Sequence, residues 1–401
     1  MPSTKQIFEE TYADLLRSAR DPALWTGLSR SIEAYRNRRV KALERFPHTT
    51  QLAQEVRRIK EESVAHRQEL VQKATASLSE NGAKVYPASD AAEARKIIGK
   101  IVGSSKVVMA SKTLTGEEIR LGDYIRGLGN EFWETDIGAF IQQLRQEKPM
   151  HYVFPSLHVT KENVAKLLSD LLGKEIPADI PTEVRVIREF LRNKYFKADV
   201  GMTGGNVLAA ETGSILLMES EGNIRMVSNV PPVHIALVGI DKIVPTLSDA
   251  LKVAEVTWRY AGFTIPLYVS LVSGPSGTAD IENTLVHGSS GPLELHVILL
   301  DNGRSTLAND PILKEASYCI KCGGCLFECP IFQLAAGYYG GSSYFGGVGS
   351  ILSAYIADGF PKTAANAYSC LCCGRCTEVC PMTIDTTKLI KELRHKLISS
   401  H

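Results

Sequence analysis

The sequence predicts an α/β domain preceded by a helical segment and followed by a small cysteine-rich domain. Three observations carry this reading. Residues from about Gln6 to Thr75 are mostly good helix formers, with Leu43, Val56, Ile59 and Leu70 set among charges. From about Ala76 to Arg304, short β-branched runs alternate with helical stretches. All nine cysteines lie between Cys319 and Cys380. A length of 401 residues suits two or three domains of about 100–200 residues each, and we divide the chain into 1–75, 76–304 and 305–401.

The first unit reads as two or three helices. Arg36, Arg38, Arg39 and Lys41 are grouped there, as either a solvated helical face or a docking surface for an acidic partner. Lys5, Glu9, Glu10, Asp14 and Arg17 leave no apolar stretch for a signal peptide. The longest apolar runs, such as Leu295 to Leu300, fall far short of the roughly 18 residues of a membrane span. Lys plus Arg is 45 and Asp plus Glu 44, a net charge of +1. No global field therefore recruits nucleic acid or anionic lipid. The expected location is cytoplasmic, with any membrane association made through partners.

In the second unit the strand candidates are Lys106–Ala110, Tyr152–Phe154, Val184–Ile187, Ser214–Met218, His234–Val238, Leu267–Val272 and Leu295–Leu300. Continuous apolar runs bounded by Gly, Pro and Asp suit strands buried on both faces, as in a sheet covered by helices. Turn residues cluster at Ser273–Asp280 and His287–Pro292.

The third unit holds the strongest pattern. Cys319-x-x-Cys322-x-x-Cys325-x-x-x-Cys329-Pro330 is followed by Cys370-x-x-Cys373-x-x-Cys376-x-x-x-Cys380-Pro381, and each run has the ligand spacing of bacterial ferredoxins. Three thiolates on a short loop can wrap three corners of a [4Fe–4S] cube, and the fourth is carried away to cap the other cube. This logic assigns Cys319, Cys322, Cys325 and Cys380 to one cluster and Cys370, Cys373, Cys376 and Cys329 to the other. Zinc sites usually pair C-x-x-C units differently, and disulfides would strain most pairings in such tight triplets. Cys372 falls outside the register, as a packed thiol or as a contact tuning cluster sulfur. The long insert between Cys329 and Cys370 contains two helix-like stretches, Ser350–Ala357 and Pro361–Ser369. This favours a helical ferredoxin type over the compact β-hairpin type. A closing helix from about Asp385 to Ile398 aligns Leu389, Leu393 and Leu397. The glycine- and aromatic-rich stretch Gly337–Gly349 is a wrap around the clusters or a partner-docking loop.

The order of these motifs, with Ala110–Ile119, Glu134–Gly138, Gly201–Ile215, Lys242–Pro245 and Asp301–Ser305 upstream of the cysteines, resembles the LutB/LldF-type iron–sulfur subunit of L-lactate utilisation. The resemblance runs from the N-terminal helices to the last helix. It implies a LUD domain, similar in fold to the sugar-isomerase and CoA-transferase group. It also implies a complex with a LUD-only subunit and a subunit bearing cysteine-rich CCG motifs, oxidising lactate to pyruvate. Two features depart from the family: the stretch after Cys380 is short, and Ser273–Asp280 resembles the corresponding loop of the LUD-only partner.

Within the second unit Gly201, Gly204 and Gly205 could let a backbone approach an anion, and Glu211 is a candidate carboxylate base or nucleophile. With Ser276, Thr278 and Asp280 they form a candidate ligand pocket. Lys112 and His234 are candidate anion or proton-transfer groups, or satisfied scaffold residues. No flavin or nicotinamide fingerprint is in register. Two functions follow: an electron-transfer subunit of a lactate-oxidising complex, or a LUD enzyme with its own chemistry and structural or regulatory clusters.

Overall fold

The computed structural model describes residues 4–399. Four helices open the chain: α1 (Thr4–Ala19), α2 (Pro22–Arg45), α3 (His48–Ala65) and α4 (Arg67–Glu80), one more than the sequence suggested. Asp21 starts α2, its carboxylate accepting the N–H groups of Ala23 and Leu24 at 2.9 and 3.3 Å, while Pro22 takes the first turn, where no N–H is needed. Helix α4 runs unbroken through residues 75 and 76. The basic cluster of α2 is used within the chain: Arg36 grips Glu328 with two hydrogen bonds of 3.1 and 2.7 Å. Arg38 and Arg39 lie over the rings of Phe154 and Tyr260.

Twelve strands follow: β1 (Lys84–Ala88), β2 (Val107–Ala110), β3 (Glu131–Glu134), β4 (Val200–Thr203), β5 (Val207–Ala209), β6 (Ser214–Glu219), β7 (Val233–Gly239), β8 (Ile243–Val244), β9 (Tyr268–Val272), β10 (Gly277–Thr278), β11 (Val286–His287) and β12 (Glu294–Leu300). Six form a parallel sheet in the order β1-β12-β7-β4-β2-β3. Alternation explains why β7 and β12 read as unbroken apolar runs. Ile235, Leu237, Ile298 and Leu300 face helix Ala91–Val102, and Ala236, Val238, Val297 and Leu299 face α4 and the second sheet.

That second sheet has the order β8-β5-β6-β9. Leu208 and Ile215 face the parallel sheet, whereas Val207 and Leu216 join an apolar cluster with Tyr35 and Val56 of the N-terminal helices and Phe327, Phe332 and Leu389 of the cysteine-rich region. One core therefore draws on all three parts of the chain.

Three expectations need correction. Val184–Ile187 is helical, inside helix Ile180–Tyr195. Asp179 accepts the N–H of Thr182 at 3.1 Å, Pro181 sits in the first turn, and Val186, Ile187, Leu191 and Tyr195 are buried with Glu183. Tyr152–Phe154 is a turn, nucleated by His151, whose Nδ1 accepts the N–H groups of Val153 and Phe154 at 3.0 and 3.2 Å. Leu267–Val272 supplies β9, but at the sheet edge, with Tyr268 and Leu271 exposed.

In the last part, helix Gly346–Leu352 continues as a wide π turn over Ser353–Ala357, and helix Phe360–Ser369 follows. The closing helix, Thr386–Ser399, buries Leu389, Leu393 and Leu397 on one face. A buried charge network joins this part to the sheets. Arg304 binds Glu118 with bonds of 2.8 and 3.0 Å and also holds Asp241. Asp241 in turn takes Lys321, and its carbonyl accepts from Lys60. Tyr344 donates to Glu118 at 2.6 Å. Burial alone would raise the Asp241 pKa, but Lys321 and Arg304 hold it well below the usual carboxylate range.

Candidate metal centre and the cavities beside it

The two cysteine runs have the same local construction. Lys321 and Cys372 stand at matching positions, both left-handed, with φ of 58° and 51°. Each turns its N–H back onto the first cysteine of its run: Lys321 to Cys319 Sγ and Cys372 to Cys370 Sγ, both at 3.4 Å. Gly323 and Gly374 follow with φ of 79° and 80°, a conformation that glycine adopts without steric cost. Short helices at Gly324–Glu328 and Arg375–Glu378 carry the third cysteine of each run. Cys372 therefore has a backbone role that Lys321 also fills, and its half-buried thiol lies in the wall of the second small cavity.

Each expected quartet lines a cavity of its own. Cys319, Cys322, Cys325 and Cys380 surround one, with Tyr152, Met382 and Ile384. Cys370, Cys373, Cys376 and Cys329 surround the other, with Tyr339. Cys376 also reaches the first wall, so the two lie side by side. Burial pushes the thiols of Cys322 and Cys329 up to about 12 and that of Cys380 up to about 11. Thiolates there need a cation next to them, which iron supplies. The donors therefore suit two four-iron clusters. The first quartet is the more enclosed, with Cys322 buried, whereas Cys373 of the second is exposed.

The glycine-rich loop touches both the cysteine-lined cavities and the α/β region. Tyr339 lines the second cluster cavity. The Tyr152 hydroxyl donates to Phe345 O at 2.8 Å and accepts its N–H at 2.9 Å. His151, stacked 4.3 Å from Phe327, bonds Gly323 O at 3.3 Å. With both lone-pair contacts on Nδ1, Nε2 carries the proton, and burial lowers the pKa to about 3.

A cavity of about 410 Å³ opens between the α/β region and the first quartet, with Gly204, Gly205, Lys112, Lys242, Trp258 and Cys322 in its wall. The expected ligand pocket is not assembled. Glu211, Ser276, Thr278 and Asp280 do not line this cavity. Glu211 is exposed and accepts the Leu247 N–H at 2.8 Å, at the start of helix Leu247–Tyr260. Ser276, Thr278 and Asp280 belong to the hairpin β10–β11. Gly201 serves close packing, since a Cβ there would stand 1.8 Å from Val227 O. Lys112 donates to Tyr152 O at 2.6 Å and pairs with Glu117 at 3.6 Å. His234 Nε2 meets Thr203 Oγ1 at 2.8 Å, and burial lowers its pKa to about 4.

Comparison with known proteins places these features in a family. Residues 71–300 match the LUD domain, and residues 315–384 match the 4Fe–4S dicluster domain. The chain belongs to the LUD domain family. It is 31% identical to lactate utilization protein B of Bacillus pumilus over 94% of this chain and 78% of that one. It is 30% identical to lactate utilization protein B of Macrococcus caseolyticus, over 98% and 81%. The uncharacterized electron transport protein YkgF of Escherichia coli is 29% identical over 94% and 78%. The cofactors of the present chain are thus two 4Fe–4S clusters, carried by its dicluster domain. No helix among the described residues is long and apolar enough to cross a membrane.

The LUD domain also has a cleft of about 940 Å³ at the carboxyl ends of β2, β3 and β4, closed on one side by Ser342 and Ser343 of the glycine-rich loop. Glu117, Glu134, Gln142 and Ser343 each leave a buried side-chain oxygen without a hydrogen bond there. Burial pushes Glu134 from 4.5 up to about 8, helped by Glu117 and Asp136 and opposed by Lys112 and Arg126. Between these values the folded chain keeps a proton that the unfolded chain has lost, so stability falls as pH rises from about 4.5 to 8. Glu134→Gln is expected to flatten the fall in melting temperature between pH 5 and 8 while leaving the value at pH 5 close to wild type. Parallel slopes in the two proteins would mean that this carboxyl is ionised throughout.

Lys242, Glu117 and Glu134 were missed by sequence reasoning. All three stand inside quoted motifs, Lys242–Pro245, Ala110–Ile119 and Glu134–Gly138, but nothing in their spacing told a buried charge from a surface one.

Proposed function

We propose that the chain is the iron–sulfur electron-transfer subunit of a multi-subunit complex that oxidises L-lactate to pyruvate. One observation carries the reading: two adjoining cysteine quartets, the first enclosed against the LUD domain and the second reaching the surface at Cys373. The quartets would be ligands as grouped above, and the clusters would supply one-electron transfer. The side chains enclose the first centre and expose the edge of the second, giving an inner and an outer end to the path. The partners would be a LUD-only subunit and a CCG-motif subunit, in the cytoplasm, with membrane association through them. The lactate utilization names of the relatives support this assignment.

Removing two electrons from a 2-hydroxy acid calls for an acceptor at the substrate carbon, and a cluster held by four cysteines has no free site. The isolated chain with clusters intact is therefore expected to form no pyruvate from L-lactate with an artificial dye under anaerobic conditions, and turnover should appear on adding the partner subunits. Turnover by the chain alone would favour the other reading, a LUD enzyme with its own chemistry. The cleft at Glu117 and Glu134 supports that alternative and is the place to mutate first.

A further inference from the structure

The cavity of about 410 Å³ has a specific composition. Its walls combine apolar and aromatic side chains, Phe154, Leu217, Met218, Trp258 and Phe263 among them, with polar and charged ones. Its acids are already engaged. Asp136 accepts the Ala139 N–H at 2.9 Å, Glu219 those of Ile224 and Arg225 at 2.6 and 3.0 Å, and Glu221 that of Ile137 at 3.1 Å. Lys112 is committed to Tyr152 O and Glu117, and Lys321 to Asp241. The indole N–H of Trp258 is buried without a hydrogen-bond partner, and the Lys242 side chain in the same wall makes no hydrogen bond among the described residues. Cys322, of the first quartet, stands in the same wall.

Aromatic side chains in the wall favour a planar ring, and an unpaired donor favours an oxygen on it, because leaving a buried donor unsatisfied costs about 1–3 kcal/mol. A position against a cluster ligand adds a redox requirement. The partner must exchange electrons singly, as conjugated carbonyl rings do and a 2-hydroxy acid does not.

We infer that this cavity binds a planar conjugated ring bearing carbonyl oxygens, of the quinone or flavin class, with Lys242 holding a ring oxygen. The inference rests on the reading of the chain as an electron carrier. In full reduction the ring gains two electrons, one at a time, and two protons from water. Each electron comes from a cluster reduced by the partner subunits or, in the test, by dithionite. The cluster iron is oxidised by the same count.

The test is titration of the anaerobically prepared holoprotein with menadione in one arm and flavin mononucleotide in the other, followed by tryptophan fluorescence. Saturable quenching by menadione alone identifies a quinone site, and quenching by flavin mononucleotide identifies a flavin site. Either supports the inference, provided that Trp258→Phe removes most of the quench and Lys242→Met weakens binding about tenfold at unchanged iron content. A wild-type measurement guards against a misfolded variant. A redox-inert ring, heptyl-hydroxyquinoline N-oxide, should shift the electron paramagnetic resonance signal of the dithionite-reduced protein. No quenching by either ring up to about 1 mM, together with an unshifted signal, overturns the ring site. The electron-carrier reading is judged separately, since it fails if dithionite elicits no cluster signal at all.

Discussion

Cys322→Ser is expected to cost the protein one of its two clusters, taking the iron content from about eight to about four atoms per chain or converting that cluster to a three-iron form. Serine presents a harder oxygen to iron that is otherwise held in sulfide. Cys380→Ser should give the same spectroscopic change as Cys322→Ser, although 58 positions of sequence separate them, because both side chains line the first cavity. Cys329→Ser should pair instead with Cys373→Ser, which line the second. Cys372→Ser should keep both clusters: the contact at this position comes from the backbone N–H, and Lys321 makes the same one without a thiol. Iron and sulfide analysis with electron paramagnetic resonance of the anaerobically purified variants decides the grouping. If Cys380→Ser resembled Cys373→Ser, the crossed assignment would be wrong, and stoichiometric zinc with little iron would remove the clusters altogether.

The cysteine quartets were legible because ligand geometry writes itself into spacing. The loop around a cube has one workable length, and the crossed grouping expected from it is the one in which the cysteines line the two cavities. The central strands were legible for a related reason: β7 and β12 are buried on both faces, so nearly every residue is apolar. Where one face is solvated or the element is short, the signal fades. Val184–Ile187 carried β-branched residues on an amphipathic helix, and the capping residues Asp179 and Pro181 were the better guide. The strand β4, Val200-Gly-Met-Thr203, was not among the strand candidates. Its Gly201 is required by the carbonyl of Val227, a contact that only the tertiary structure shows.

The cavities were illegible for a different reason. Glycines, Glu211 and the Ser276–Asp280 loop looked like one site because their residue types suit ligand chemistry. The chain instead sends Glu211 to a helix start and the loop to a separate hairpin. The cavity wall is drawn from the segments around Lys112, Gly204, Lys242, Trp258 and Cys322, and no local pattern links them. The basic cluster of α2 followed the same rule. Of its four cations, Arg36 pairs with Glu328 of the same chain, one residue before Cys329, and Lys41 lies exposed on the helix face.

The buried network at Asp241 gives the second large expected effect. Asp241 lies between Lys321 and Arg304, all three almost fully buried, with Lys60 on its carbonyl. Removing one member of a buried ion pair leaves an uncompensated charge and typically costs about 3–5 kcal/mol. Asp241→Asn is expected to do this to two cations at once, while Glu118 still serves Arg304. The larger share of the loss should therefore fall on Lys321, which sits between Cys319 and Cys322. The melting temperature should drop by on the order of 5–10 °C, and the cluster held by the first quartet should become the more labile to chelators. Lys321→Met placed on top of Asp241→Asn should restore part of the stability, because the orphaned ammonium is then gone. The single variants and the double variant, melted anaerobically with iron content followed in parallel, form a cycle whose coupling energy reports the pair directly. Strictly additive losses would show that Asp241 and Lys321 act independently, and that the cysteine loop is positioned by its backbone turns alone.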